Sequence, residues 1–172
     1  SGISIPAGGN ATLIYQANVN QYAPLDTTGT ITNTATISGT GITNDIQVSE
    51  TVNTADTAML TISKSLSPTT VTENGQITYT FIIQNLGNTA AVAADNVTIT
   101  DTFNPILNPI TVTFNGAAWN TTDHYTYNNL TGAFATVPGQ ITVPAATYTQ
   151  DPATGAWTVH PGVSTLTVTG TV

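Results

Sequence analysis

The stretch "LTISKSL" (residues 60–66) alternates with a period of two, placing Leu60, Ile62, Lys64 and Leu66 on one side and Thr61, Ser63 and Ser65 on the other. That is the pattern of a β-strand with one face turned to a core. Lys64 is the only Lys or Arg among 172 residues, and the alternation puts it on the apolar face. The same pattern repeats outward from this stretch. Strands are expected near 11–19, 30–38, 46–52, 59–66, 76–84, 96–103, 109–114, 140–144, 156–160 and 164–172, each an alternating or β-branched run. Turn residues separate them: "AGGN" at 7–10, "ENG" at 73–75, "NLGN" at 85–88, "NGA" at 115–117 and "DPATG" at 151–155. Helical periodicity is absent apart from a short turn expected within "NTAAVAAD" (88–95). About ten short strands of this kind predict an all-β sandwich with Greek-key connections.

Composition narrows the function classes. Charged residues make up 6%, hydrophobic residues 40%, and the formal net charge is −8. Such a chain lacks the cations that nucleic acid or an anionic membrane surface requires. No apolar run is long enough to span a bilayer. The chain opens on "SGIS" with no export signal, leaving signals and anchors to be sought elsewhere in a longer protein. It has no Cys, so an exported protein of this composition would be stabilised by something other than disulfides.

An internal echo suggests tandem organisation. "GGNATLIYQANV" (8–19) resembles "PGVSTLTVTGTV" (161–172), with Thr12-Leu13 aligned on Thr165-Leu166. The offset of about 153 residues has the character of a repeat period. Residues 1–53 are then expected to be the closing strands of a preceding repeat, able to complete the module that follows. Residues 54–58 are a linker, and residues 59–172 a repeat module with an insertion near 115–160.

The run from 60 to 103 carries a family likeness. It contains Leu-x-Ile-x-Lys (60–64), Ser-Pro (67–68), Gly75, Thr-Tyr-Thr (78–80), an Asn-x-Gly turn (85–87) and Val-Thr-x-x-Asp-Thr (97–102). This resembles the conserved repeat of unknown function that occurs in tandem on Gram-positive cell-surface proteins. "GTITNTATISG" (29–39) resembles that repeat's closing strand. More loosely, these repeats are similar to the Ig-like pilin and adhesin modules that form intramolecular Lys–Asn isopeptide bonds. The resemblance implies a secreted, cell-wall-attached, Ig-like structural module whose partners are neighbouring repeats, with no cofactor and no enzymatic turnover on external substrates.

The residues make a chemical case of their own. Asn33 falls on the Ile31, Ala35, Ile37 face of its strand, and Asp101 on the Val97, Ile99, Phe103 face. With Lys64, that gives a carboxamide, a carboxyl and an amine on three core-facing strand faces, each costly to bury alone. In a low-dielectric core, Asp101 could polarise the Asn33 amide for attack by neutral Lys64, with loss of ammonia. A Lys–Asp ion pair supported by Asn33 would satisfy the same groups without a bond. A strand-end lysine can also lift its ammonium to water. Glu50, on the Ile46, Val48, Val52 face, is a rival for the acid. If the repeat boundary is out of phase, residues 1–53 would complete the module in the same chain or in a strand-swapped dimer.

Other features carry less. His124 and His160 have no accompanying ligand cluster, so no metal site is expected. Calcium near Asp56 or Asp95 has weak support. No nucleophile elbow or triad pattern is present. Trp119, Tyr125, Tyr127, Tyr148 and Trp157 are expected to pack residues 115–160 onto a sheet. Were several to share an exposed face, they would form a platform for a host or cell-wall glycan or protein, an adhesin-like alternative.

Overall fold

The strand Gln76–Asn85 (β4 below) shows how the core is made. Ile77, Tyr79, Phe81 and Ile83 are buried, while the residues between them reach outward. A computed structural model describes residues 2–20, 23–26 and 28–172. In chain order the strands are β1 (Thr30–Ile37), β2 (Ile46–Asn53), β3 (Leu60–Ser67), β4 (Gln76–Asn85), β5 (Thr100–Thr102) and β6 (Ile110–Phe114). They continue with β7 (Ala117–Trp119), β8 (Tyr125–Tyr127), β9 (Ala133–Thr136), β10 (Thr147–Gln150), β11 (Trp157–His160) and β12 (Gly162–Thr171). All pairings between them are antiparallel. The chain is an all-β sandwich.

The larger sheet has the order β3-β4-β12-β6-β7, the smaller β5-β9-β8, and two ribbons, β1-β2 and β10-β11, stand outside both. β12 is central because one face is buried along its whole length: Leu166 and Val168 are fully buried between Phe81 and Tyr79 of β4 and Phe114 and Val112 of β6, and the buried Ser164 hydroxyl donates to the Thr142 carbonyl. On the outer face threonines bond across strands, Thr78 to Thr169 at 2.8 Å and Thr113 to Thr167 at 2.5 Å. Asn115 and Gly116, both at positive φ, form the two-residue turn between β6 and β7 that the "NGA" motif predicts. The smaller sheet closes the core from the other side. Phe103, just past β5, lies 4.8 Å from the Tyr79 ring and 5.5 Å from Phe134 of β9.

Several expectations change. Residues 11–19 form no strand, and Leu13, Ile14, Tyr15 and Val19 are exposed. The ladder position their sequence resembles, between β4 and β6, is occupied by β12. The expected strand 96–103 narrows to β5, and 140–144 contributes one bridge, Val143 to Ala91, with Ile141 and Val143 buried. Residues 115–160 are more than an insertion: β8 and β9 are two of the three strands of the smaller sheet. The short turn expected in 88–95 is a 3-10 turn at Ala93–Asp95, where Asp95 accepts from the Val92 N–H. Within the 1–53 segment, Ser1, Gln21, Tyr22 and Thr27 lie outside the described residues.

The turn between β10 and β11 carries a pH signature. Asp151 accepts from the N–H groups of Ala153 (2.8 Å) and Thr154 (3.4 Å), and these bonds hold its carboxyl below the usual value. A lowered folded-state pKa stabilises above the ordinary carboxylate range and loses that contribution as pH falls through the lowered value. The amide-proton shifts of Ala153 and Thr154 should therefore move as Asp151 is protonated in an acid titration of the wild type. In Asp151→Ala that titration should be lost.

Candidate functional site at the seam of the two sheets

β3 is an edge strand of the larger sheet and β5 an edge strand of the smaller, and the site lies where these two edges face each other. In the register of β3 on β4, Ile62 opposes Ile83, Lys64 opposes Phe81 and Leu66 opposes Tyr79. Directly opposed residues share a face, so these side chains lie on the core side, as the alternation requires. Lys64 Nζ forms an ion pair with Asp101 Oδ2 of β5. The ammonium lies 4.6 Å from the centre of the Tyr79 ring and 5.5 Å from those of Phe81 and Phe103, within cation–π range. The other carboxylate oxygen of Asp101, Oδ1, accepts from the Thr102 N–H at 2.8 Å.

The lysine is not buried as the sequence predicts. Its side chain keeps 39% exposure, and Leu60, Ile62 and Leu66 keep 37%, 55% and 42%. The three strands of the smaller sheet do not extend over β3, so a core-facing row remains uncovered. An open groove of about 510 Å³ runs here, lined by Lys64, Ser65, Leu66, Thr69, Tyr79, Thr102 and Asn104.

Lys64 and Asp101 are brought together; Asn33 and Glu50 are not part of that pair. They oppose each other on the β1-β2 ribbon. Thr32 bonds Thr51 and Thr34 bonds Ser49 across one side of the ribbon. Asn33 and Glu50 therefore lie on its other, apolar side with Ile31, Ala35, Val48 and Val52. None of the groups described around Lys64 comes from this ribbon. Within one chain the ribbon adds to neither sheet.

The aromatic candidates serve separate local contacts. Tyr125 is buried against Phe134, and its hydroxyl pKa is raised by that burial. The Tyr127 hydroxyl donates to the Leu107 carbonyl and accepts from its N–H. Trp119 stacks between Phe114 and His124. Tyr148 donates to the Leu86 carbonyl, and its pKa is raised by burial and then by the charge of Asp26. Trp157 is half-buried on β11, its indole N–H enclosed. The His160 ring bonds Thr149. Among the described residues, no group of three or more His, Asp or Glu is arranged to hold a metal ion. No helix there is long and apolar enough to cross a membrane.

Sequence reasoning missed Asn85. Fully buried, it uses every hydrogen-bonding valence of its side chain. Oδ1 accepts from the N–H groups of Met59 and Gly87, both at 2.9 Å, and Nδ2 donates to the carbonyls of Thr89 (2.7 Å) and Pro144 (3.0 Å). The "NLGN" motif marked a turn, but not this junction. Comparison of the chain with protein-family models, with curated proteins and with solved structures finds no match.

Proposed function

We propose that the chain is a structural, stalk-forming Ig-like repeat of a secreted, cell-wall-attached bacterial surface protein, spacing or stiffening an array of such modules. The observation that supports this reading is the Lys64–Asp101 pair among the rings of Tyr79, Phe81 and Phe103. The one amine in the side chains of this sequence stands beside an acid at the seam between sheets, the first two members of the amine–acid–carboxamide set. The third, Asn33, is on a separate ribbon, so in a single chain Lys64 is held by an ion pair.

Intact-mass spectrometry tests this directly. The purified monomer should have its full calculated mass, and Lys64→Ala should differ from it only by the side-chain change. A wild-type mass one ammonia lower, with the loss abolished in Lys64→Ala, would replace the ion pair by an amide bond within the chain. Glycan-array binding tests the structural role itself. The isolated chain should be inert; binding that disappears in Trp119→Ala or Trp157→Ala would overturn it in favour of an adhesin.

A further inference from the structure

We infer that the uncovered face of β3 is a docking site for the β1-β2 ribbon of a second copy of this chain. Each half of the contact is incomplete alone. The ribbon exposes an apolar side, on which Ile31, Ile37, Ile46, Val48 and Val52 are 41% to 64% exposed. The face of β3 exposes Leu60, Ile62 and Leu66 in a row beside the free edge of β5. Such contiguous apolar strips beside open edges are a site for strand addition.

The polar groups match as well as the apolar ones. Each strip carries its charged group among apolar neighbours: Lys64 between Ile62 and Leu66 on β3, and the opposed pair Asn33–Glu50 between Ile31–Val52 and Ala35–Val48 on the ribbon. A lysine ammonium has three donors, and Asp101 does not use them all. Seating the ribbon lets Glu50 accept from Lys64 and lets the Asn33 amide donate to Asp101. An eight-residue ribbon is about 27 Å long and about 10 Å wide, enough to cover the row from Leu60 to Leu66.

The route of the chain selects a second copy over the ribbon's own sandwich. Residues 55–59 are clamped to the loop after β4. The Asn88 side chain donates to the Ala55 carbonyl and accepts from the Thr57 N–H. Thr89 donates to Thr57, Met59 donates to Asn85 Oδ1, and Leu86 donates to Met59. The base of the ribbon is fixed too, by bonds from Thr54 to Gly29 and Pro24. These bonds hold the chain on both sides of Asp56 and so oppose turning the ribbon back through a half circle onto β3. Every copy carries one ribbon and one open face, so two copies can satisfy each other reciprocally and close. Two such seats bury on the order of 1,000 Å², within reach of a specific dimer.

Sedimentation velocity over a concentration series tests this. Wild type should pass from monomer to dimer as concentration rises. Val48→Asp on the ribbon and Ile62→Asp on the face should each weaken dimerisation at least tenfold. Both positions are exposed, so the thermal transition of the sandwich should be unchanged, which separates lost docking from lost folding. Mixing the two variants leaves one of the two seats intact, and should give a heterodimer weaker than the wild-type dimer but tighter than the dimer of either variant alone. A wild type that stays monomeric throughout, dimers indifferent to both substitutions, or a mixture no more associated than either variant alone would each overturn the proposal.

Discussion

Asn85→Asp should destabilise the sandwich by about 4 kcal/mol, although it exchanges one NH2 for one oxygen. Each of the four bonds made by the Asn85 side chain is worth about 1 kcal/mol net, and more where its loss strands a buried partner. The substitution preserves an acceptor for Met59 and Gly87 but turns a carboxylate oxygen toward the carbonyls of Thr89 and Pro144. A buried carboxylate facing two acceptors is held protonated, with its folded-state pKa raised. The penalty should therefore shrink as pH falls below that raised value, the opposite sign to the wild-type Asp151 contribution. Urea denaturation at neutral and at mildly acidic pH checks both magnitude and sign. A midpoint close to wild type at neutral pH would mean that the four-bond junction does not form. Asn85→Ala, which strands all four partners, should cost a similar amount but show no such relief in acid.

Asn85 also shows what kind of information the sequence holds. Its place in an Asn-x-Gly turn was legible, because turn chemistry depends on neighbours along the chain. Its partners at Met59 and Pro144 were not, because they are joined to it only by the fold. The same division runs through the molecule. β3, β4, β6 and β12 are long enough for alternation to declare them, and Asn115-Gly116 declared the turn after β6. β8 and β9, with three and four residues, are too short to show a period, so two of the three strands of the smaller sheet fall within the expected insertion 115–160. Residues 11–19 have the alternation of a strand but pair with no other, since pairing depends on which segment fills the slot, and β12 fills the place between β4 and β6. For Lys64 the alternation gave the correct side of β3. It could not tell whether the opposite sheet reaches far enough to cover that side, and it does not. Lys64 and Asp101 could be matched by chemistry, whereas the separation of Asn33 from them follows from the path of residues 54–59.

The other large effect is expected at Phe103. Phe103→Ala should cost about 3–5 kcal/mol, the range for removing a buried aromatic ring and leaving a cavity. The ring is 1% exposed and touches both sheets: Tyr79 at 4.8 Å, Phe134 at 5.5 Å and Tyr127 at 6.1 Å between centres. The Phe103 backbone is itself closely held, since Gly132, at positive φ, lies so near that a Cβ there would meet the Phe103 carbonyl oxygen at 2.3 Å. Lys64→Met supplies the contrast. Its ion pair with Asp101 is more than one-third exposed on the lysine side, and such pairs contribute about 0–1 kcal/mol; its loss also leaves the enclosed Asp101 Oδ2 without a partner, at about 1 kcal/mol more. Chemical denaturation should thus show clearly less stability lost in Lys64→Met than in Phe103→Ala. If Lys64→Met proved as costly as Phe103→Ala, the seam would be held by the ion pair, and the amine could not be free to meet an incoming ribbon. The expected ordering places the cohesion of the two sheets in the aromatic cluster. It leaves Lys64 a positioned, half-solvated amine whose removal is tolerated by the fold and felt by whatever docks on β3.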